Sequence, residues 1–241
     1  GDGYRFARSA GHTVVEPRGS LVPLCAAGDL CQRLQGLSLR NAGLRVYEND
    51  KKIYSDFGEL LFTHFGVSGP LILSASAHMR RFGAARYRLE IDLKPALDEQ
   101  TLDRRLLSDF AKRANSDFIN AFDELLPRKL IELFVDLTGV PPREKVHDLT
   151  KAQRRRVLEL MKALPVEITG PRPVAEAIVT SGGVSVKEVR PSTLESKLLP
   201  GLYFAGEVLD VDAYTGGFNL QIAWSTGRLA GLSAAGYGKQ K

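Results

Sequence analysis

The stretch GLYFAGEVLDVDAYTGGFNLQIAWSTGRLAG, residues 201–231, is the most informative part of the chain about its fold. Residues 201–206 form an apolar run that predicts a buried strand ending on a glycine. Glu207 then follows the carboxyl end of that strand, which is where α/β sheets bind ligands. Gly206 lets the backbone approach a ligand closely. The pattern is therefore typical of an α/β fold, in which a ligand site at the end of this strand is one interpretation.

A pair of glycines precedes a predicted helix that runs from about residue 220 to residue 235. Gly216 and Gly217 would place free amides and the positive end of the helix dipole beside the strand end. That arrangement suits a phosphate or an electron-rich carbonyl. An ordinary strand–turn–helix with a glycine-rich loop explains the same residues, and the spacing alone leaves both interpretations open.

Residues 13–95 have the pattern of a β-rich domain. Short alternating or apolar runs are separated by turn signals, and Asn49 and Asp50 lie between two of the runs, as a hairpin requires. Such a series of short strands with few helices favours a small sheet or barrel.

The hydrophobic period becomes helical over residues 98–164 and predicts about three helices. Thr150 and Gln153 match a capping box at the start of the third. Strand-like residues return over 166–190. The sequence as a whole therefore predicts a β-rich region, a helical block and a C-terminal segment of α/β type.

The composition is that of an ordinary globular protein. Of the 241 residues, 44% are hydrophobic and 25% are charged, which excludes disordered and collagen-like chains. The sequence contains no apolar run of about 18 residues, so no transmembrane helix is predicted. The net charge of +5 permits an anionic partner without requiring nucleic acid. Cys25 and Cys31 lack a companion cluster of ligands, which favours buried thiols, no metal site and a cytoplasmic location.

Residues 201–231 closely resemble the closing segment of the BaiN/YhiN-type bacterial flavoproteins, a three-domain family that includes aminoacetone oxidases. Three other stretches resemble motifs of that family in the same order along the chain. They are GDGYRFARSAGH at 1–12, GELLFTHFGVSGPLIL at 58–73 and TSGGVSVKEVRPSTLESK at 180–197. The resemblance covers nearly the whole chain.

The resemblance implies a split architecture, in which a Rossmann-type FAD domain is interrupted by a β-barrel-like domain and a small helical domain. It assigns residues 1–12 to a remnant of the FAD-binding domain and 13–97 to the β-rich insert. Residues 98–165 become the helical domain, 166–184 the return of the insert, and 185–241 the C-terminal part of the FAD-binding domain.

The resemblance also implies the cofactor, FAD, and the residues that bind it. Gly206 and Glu207 fall where the strand end meets the ribityl and phosphate region. The residues that approach the isoalloxazine ring are Gly216, Gly217, Phe218, Asn219 and Leu220. The amides of Asn219 and Leu220 would stabilise negative charge on the N1 and C2 carbonyl side of the reduced ring. NAD(P)H or oxygen would be the other redox partner.

The family's opening GxGxxG motif, which holds the ADP half of FAD, does not occur in this sequence. Gly1 and Gly3 are followed by Tyr and Arg and lack the third glycine. On the family pattern we therefore expect the chain to be the C-terminal part of a longer flavoprotein, unable by itself to hold FAD tightly.

Several single residues have both a functional and a structural interpretation. For His64, in FTHFG, a structural hydrogen bond is favoured over a contact with substrate. Tyr214 either lines the flavin pocket or packs, whereas Trp224 is more typical of a core. Ser68 does not form a nucleophile elbow, because Pro70 stands where that motif requires glycine.

Two classes of function follow from these observations. The first is an FAD-dependent oxidoreductase that acts on a small organic substrate, with no membrane partner. The sequence does not identify a catalytic acid or base for it. The second is a nucleic-acid-binding module that would use the basic helical block 98–162 to contact phosphates. The cations of that block are Arg104, Arg105, Lys112, Arg113, Arg128, Lys129, Lys151, Arg154, Arg155, Arg156 and Lys162. A solvated helix surface is the structural alternative for these charges.

Overall fold

A computed structural model of the chain describes residues 1–237. The chain divides into two compact units. Unit 1 comprises Gly1–Val22 and Arg172–Lys241, and unit 2 comprises Pro23–Pro171. Unit 2 is therefore inserted in sequence between the two segments of unit 1.

The described residues form eight strands and seven α-helices. The strands are β1 Val14–Ser20, β2 Leu24–Ala26, β3 Ser38–Glu48, β4 Lys51–Phe62, β5 Gly66–Ser68, β6 Tyr87–Asp92, β7 Leu164–Pro171 and β8 Val179–Val184. The helices are α1 Asp2–Ser9, α2 Leu30–Arg33, α3 Pro70–Ser76, α4 Glu99–Lys112, α5 Arg128–Thr138, α6 Lys151–Lys162 and α7 Phe218–Tyr237.

Unit 2 contains a closed antiparallel barrel with the strand order β2-β5-β4-β3-β6-β7. Its longest element is the β3–β4 hairpin, which turns at Asn49 and Asp50. Both residues have positive φ angles, 46° and 68°, as the commonest two-residue hairpin turn requires. The predicted β-barrel-like insert is confirmed.

The barrel depends on a close approach between β2 and β5. Gly66 pairs with Cys25, and a Cβ on Gly66 would lie 2.2 Å from the carbonyl oxygen of Leu24. No other residue type fits there without moving the backbone, because Cβ atoms do not come so close to a carbonyl. Cys31, on α2, is buried, and burial raises the pKa of its thiol to about 12.

The helical part of unit 2 contains α4, α5 and α6, as the periodicity predicts. The Thr150–Gln153 capping box at the start of α6 is present in full. The side chains of Phe110, Phe118, Phe122 and Phe134 meet edge to face, with ring centroids 4.9–6.5 Å apart. Barrel and helices share one hydrophobic core.

Unit 1 is built on a two-stranded sheet, β1 with β8, and on the helices α1 and α7. Gly183 in β8 has a φ of 130°, and a Cβ there would lie 2.5 Å from the carbonyl oxygen of Val208. The buried hydrophobic cluster of this unit is small and consists of Ala7, Val184, Val189, Leu194, Phe204, Leu209 and Ala230.

Two predictions from the sequence are wrong. Residues 201–206 form no strand. Within the described residues, their β-type pairing consists of one isolated bridge between Tyr203 and Glu195. An apolar run becomes a strand only where neighbouring strands pair with it. Trp224, expected in a core, is 66% exposed on α7.

The unit boundary differs from the predicted domain boundary. Residues 13–22 and 172–184, predicted in the β-rich insert, lie in unit 1, because β1 pairs with β8. Compactness alone does not define an evolutionary domain, so the five-segment assignment stays a prediction.

Candidate functional site

Unit 1 contains a cavity of about 400 Å³ at the N-terminal end of α7. Its lining residues come from three separate parts of the sequence. They are Leu21, Ile178, Val179, Gly206, Glu207, Val211, Tyr214, Thr215, Gly216, Gly217, Asn219, Leu220, Ile222 and Ala223. The wall is mostly apolar with few polar groups, as is usual for small-molecule and cofactor sites.

Glycines shape the loop that enters the cavity. Gly206, Gly216 and Gly217 all have positive φ angles of 71°, 113° and 88°. Side chains other than glycine rarely adopt such angles, so the loop depends on these residues for its path. At Gly216 a Cβ would also lie 3.3 Å from the ring of Phe218.

The first turn of α7 leaves backbone donors at the cavity. The amide of Gln221 donates the first helical hydrogen bond, to the carbonyl of Gly217 (3.0 Å). The amides of Phe218, Asn219 and Leu220 precede it and have no acceptor inside the helix. They form the positive end of a helix of 20 residues, which favours an anion or an electron-rich oxygen.

The Asn219 side chain holds the loop against the helix rather than pointing free into the cavity. Its Oδ1 accepts from the amide of Ala213 (2.9 Å), and its Nδ2 donates to the carbonyl of the same residue (2.8 Å). The contribution of Asn219 to a ligand would therefore come from its backbone.

Glu207 joins the loop to the start of β8. Its Oε1 accepts hydrogen bonds from the amide of Thr180 (2.6 Å) and from its hydroxyl (2.7 Å). The neighbouring amide of Gly206 donates to Oγ1 of Thr226 on α7 (2.9 Å). These contacts fix the loop from both sides, so the cavity wall is preorganised.

Six of the seven residues expected to contact FAD line this one cavity; Phe218 does not, and its ring is exposed beside Gly216. Tyr214 also lines the cavity. Leu21, Ile178 and the other apolar lining residues were not predicted from the sequence. The feature that distinguishes Leu21 is visible only in the structure, where this buried non-glycine residue has a φ of 54°.

Unit 1 also contains a Ser–His–Glu chain with the connectivity of a hydrolase triad. Nε2 of His12 lies 2.7 Å from Oγ of Ser196, and its Nδ1 lies 3.1 Å from Oε2 of Glu188. The Ser196 oxygen is buried and already accepts from the amides of Leu198 and Leu199. A nucleophile must be reachable and activated, so this chain is structural.

His64, metal-binding clusters and membrane-spanning helices are the remaining features to compare with the sequence. His64 is exposed and its ring contacts that of Phe65 edge to face, with centroids 5.0 Å apart. Among residues 1–237, no group of three or more His, Cys, Asp or Glu is arranged to hold a metal ion. Over the same residues, no helix is both long and apolar enough to cross a membrane.

Ion pairs neutralise much of the basic helical block. Seven of its cations contact carboxylates in the described structure: Arg105, Lys112, Arg113, Lys145, Arg154, Arg155 and Lys162. Over residues 98–162 the sequence contains thirteen Lys and Arg against twelve Asp and Glu. The block therefore presents a mixed surface rather than a strongly positive one.

The fold and the cavity together define an α/β protein with a barrel insert and a cavity at the N-terminus of α7. Residues 18–179 match the family model described as "HI0933-like protein barrel and H2TH domain". The chain therefore belongs to the HI0933-like family, and the predicted resemblance to the BaiN/YhiN-type flavoproteins is confirmed.

Curated relatives align along almost all of this chain. A 3-dehydro-bile acid delta(4,6)-reductase of Clostridium scindens is 30% identical over 98% of the chain. A ribosomal RNA dihydrouridine synthase of Haemophilus influenzae is 32% identical over 96%, and one of Escherichia coli is 30% identical over 93%. The chain spans only 54–58% of the length of these relatives.

Proposed function

We propose that this chain is part of a flavin-dependent oxidoreductase and that the unit 1 cavity contacts the isoalloxazine end of FAD. The observation that supports this most directly is the cavity itself. Three glycines at positive φ and the unpaired amides of α7 converge on it. Family membership supports the same cofactor.

The residues present fit a flavin on two physical grounds. The apolar part of the wall, with Leu21, Ile178 and Ala223, suits the flat faces of the ring system. The amides at the start of α7 suit the pyrimidine oxygens, which gain negative charge on reduction. Bound FAD would supply hydride transfer at N5.

This chain's own residues would bind and orient the cofactor. The amides of Asn219 and Leu220 would stabilise negative charge at the pyrimidine edge without reorganising, because the Asn219 side chain already fixes the loop. Glu207 keeps Gly206 in place through its bonds to Thr180. We propose NAD(P)H as the electron donor and a cytoplasmic location, both expected from the resemblance and the composition.

The single tryptophan of the chain offers a direct test. Trp224 lies next to Ala223, a residue of the cavity wall, so a flavin in the cavity should quench its fluorescence. We expect saturable quenching by FAD and by lumiflavin, which contains only the ring system. N-acetyltryptophanamide serves as the control for absorption by the flavin.

A matched pair of variants makes the test specific. Ala223→Leu should fill the cavity and weaken binding at least tenfold, whereas Ala234→Leu, on an exposed position of the same helix, should leave it unchanged. Absence of saturable quenching, or equal binding by both variants, would overturn the proposed site.

The substrate is either a small organic molecule, as the resemblance to aminoacetone oxidases implies, or an RNA base. RNA is favoured by one observation, the naming of two relatives as ribosomal RNA dihydrouridine synthases. Cations that make no carboxylate contact in the described structure remain available in the helical block: Arg104, Arg128, Lys129, Arg143, Lys151 and Arg156. They would contact phosphates and provide affinity without sequence specificity.

RNA binding is tested with a labelled 20-nucleotide single strand at increasing KCl concentrations. Neutralising Lys151 and Arg156 together to Gln should reduce the slope of log affinity against log salt concentration by about 0.7 per lost phosphate contact. The double variant Lys51→Gln, Lys52→Gln on the β3–β4 hairpin is the charge-matched comparison. Equal loss in both variants would indicate non-specific attraction and leave the small-molecule substrate as the proposal.

A further inference from the structure

A cavity of about 710 Å³ lies in unit 2, beside the part of β3 that does not pair with β6. β6 pairs with β3 only from Gly43 onward, so within the described structure residues 38–42 of β3 have a strand neighbour on one side only. On the other side the chain turns away at Leu93 and Pro95. The cavity lies on that side.

The walls of this cleft are mainly apolar. They are formed by Leu39 of β3, the loop that follows β6, and the segment that precedes α5, including Leu125, Leu126 and Pro127. Phe57 stands at the cleft with 59% of its surface exposed, one of only two large hydrophobic side chains so exposed in the described part of unit 2. An exposed aromatic ring beside an apolar cleft is a frequent feature of ligand sites.

The charged residues that line the cleft are both cations, Arg40 and Lys94. In the described structure neither side chain contacts a carboxylate. The nearby carboxylate of Asp92 is used elsewhere, since it pairs with Lys162 at 2.5 Å and accepts from the backbone amide of Lys94. A half-buried ammonium group without a counter-ion is unfavourable, and a bound anion would relieve that cost.

The electrostatics at Lys94 agree with this geometry. Burial lowers the pKa of its amine, and the positive charge of Arg105 lowers it further. The negative charge of a carboxylate bound in the cleft would raise the pKa of the amine and so oppose both effects.

We propose that this cleft binds a small amphipathic carboxylate, with its apolar part between Leu39, Leu125 and Leu126 and its carboxylate at Lys94 and Arg40. The proposal is independent of the flavin site, since every residue it uses lies in unit 2 and none lines the unit 1 cavity. The ligand would be a fatty-acid-like or aromatic acid of modest size.

The test uses the full chain with ¹³C-labelled leucine methyl groups and two probes of equal length, dodecanoate and dodecanol. We expect dodecanoate to shift the methyl signals of Leu39, Leu125 and Leu126 saturably, and to bind at least tenfold more tightly than dodecanol. The expected factor is that of a charge-assisted hydrogen bond in a partly desolvated site. Shifts confined to leucines of unit 1 would overturn the proposal.

Variants then test the role of the charge. Lys94→Gln should weaken dodecanoate binding at least tenfold and leave dodecanol binding unchanged. Arg40→Gln, at an exposed position, should weaken dodecanoate about threefold. This variant still tests the role of positive charge in dodecanoate binding if Lys94→Gln does not fold. Lys52→Gln, on the hairpin away from the cleft lining, is the control and should bind as the wild type. If both probes bound equally to all variants, the binding would be non-specific hydrophobic association without a carboxylate site, and the proposal would be overturned.

Discussion

The two units bury their hydrophobic residues to very different extents. In the described residues, unit 2 has thirty-seven buried core residues in one cluster, whereas unit 1 has seven. Among the residues whose side chains the structure describes, fifteen large hydrophobic side chains are exposed, and thirteen of them lie in unit 1, among them Phe218, Leu220, Trp224 and Leu232 on α7. Unit 2 therefore has the core of an independent domain, while unit 1 leaves many more of its large apolar side chains exposed.

The largest effect is expected from Gly66→Ala in the barrel. Its Cβ would meet the Leu24 carbonyl oxygen at 2.2 Å, so the β2–β5 pairing must break, at a cost above about 4 kcal/mol. Gly170→Ala in β7 is the control, because nothing lies within 4 Å of its Cβ. Urea unfolding followed by far-UV circular dichroism measures both. A fold that tolerates Gly66→Ala as well as the control would contradict the described barrel closure.

A pair of core substitutions compares the units directly. Phe134→Ala should destabilise unit 2 by about 3–5 kcal/mol, because the ring is fully buried and contacts Phe122 edge to face. Phe204→Ala should cost less, since Phe204 is 7% exposed in a core of seven residues. Peptide-resolved hydrogen exchange reports the units separately. Loss of protection in both units from either substitution would show that they unfold as one.

A pH-dependent effect is expected in unit 1 at Glu188. Hydrogen bonds from Thr13, followed by His12, lower the pKa of Glu188 below 4.5. Since the folded state holds the ionised carboxylate, its stabilisation is fully present above about pH 4.5 and is lost as pH falls through the lowered folded pKa. We expect Glu188→Gln to lower the Tm at pH 7 and to reduce the Tm loss on acidification to pH 3. An unchanged pH profile of Tm would show that Glu188 is not the responsible group.

The smallest effect on stability is expected from Trp224→Gln. The side chain is 66% exposed, so the free energy of unfolding should change by less than about 0.5 kcal/mol. Removal of this apolar surface should nevertheless reduce self-association in sedimentation velocity experiments. Ser225→Gln at the next, also exposed, position is the control. Equal association of both variants and the wild type would place the apolar interaction surface elsewhere.

Much of unit 2 was predictable because its signals are local. The hairpin at Asn49 and Asp50 and the capping box at Thr150 each depend on a few consecutive residues. The failed strand at residues 201–206 shows the opposite case, because pairing partners distant in sequence decide whether an apolar run becomes a strand. The same holds for the basic helical block, since its sequence does not reveal that Arg154 pairs with Asp103 or Arg113 with Asp123.

The sequence by itself determined the family, the β-rich insert, the helical block and the glycine-rich segment at the candidate site. Those features rest on residue order, hydrophobic period and the conformational freedom of glycine, all of which operate over short stretches of chain. Only the tertiary structure decided that Leu21 and Ile178 join Gly206 and Gly216 around one cavity, and that Lys94 faces an apolar cleft without a carboxylate partner. Both outcomes depend on contacts between residues far apart in sequence, and hydrophobic burial and charge pairing select such contacts only when the whole chain has folded.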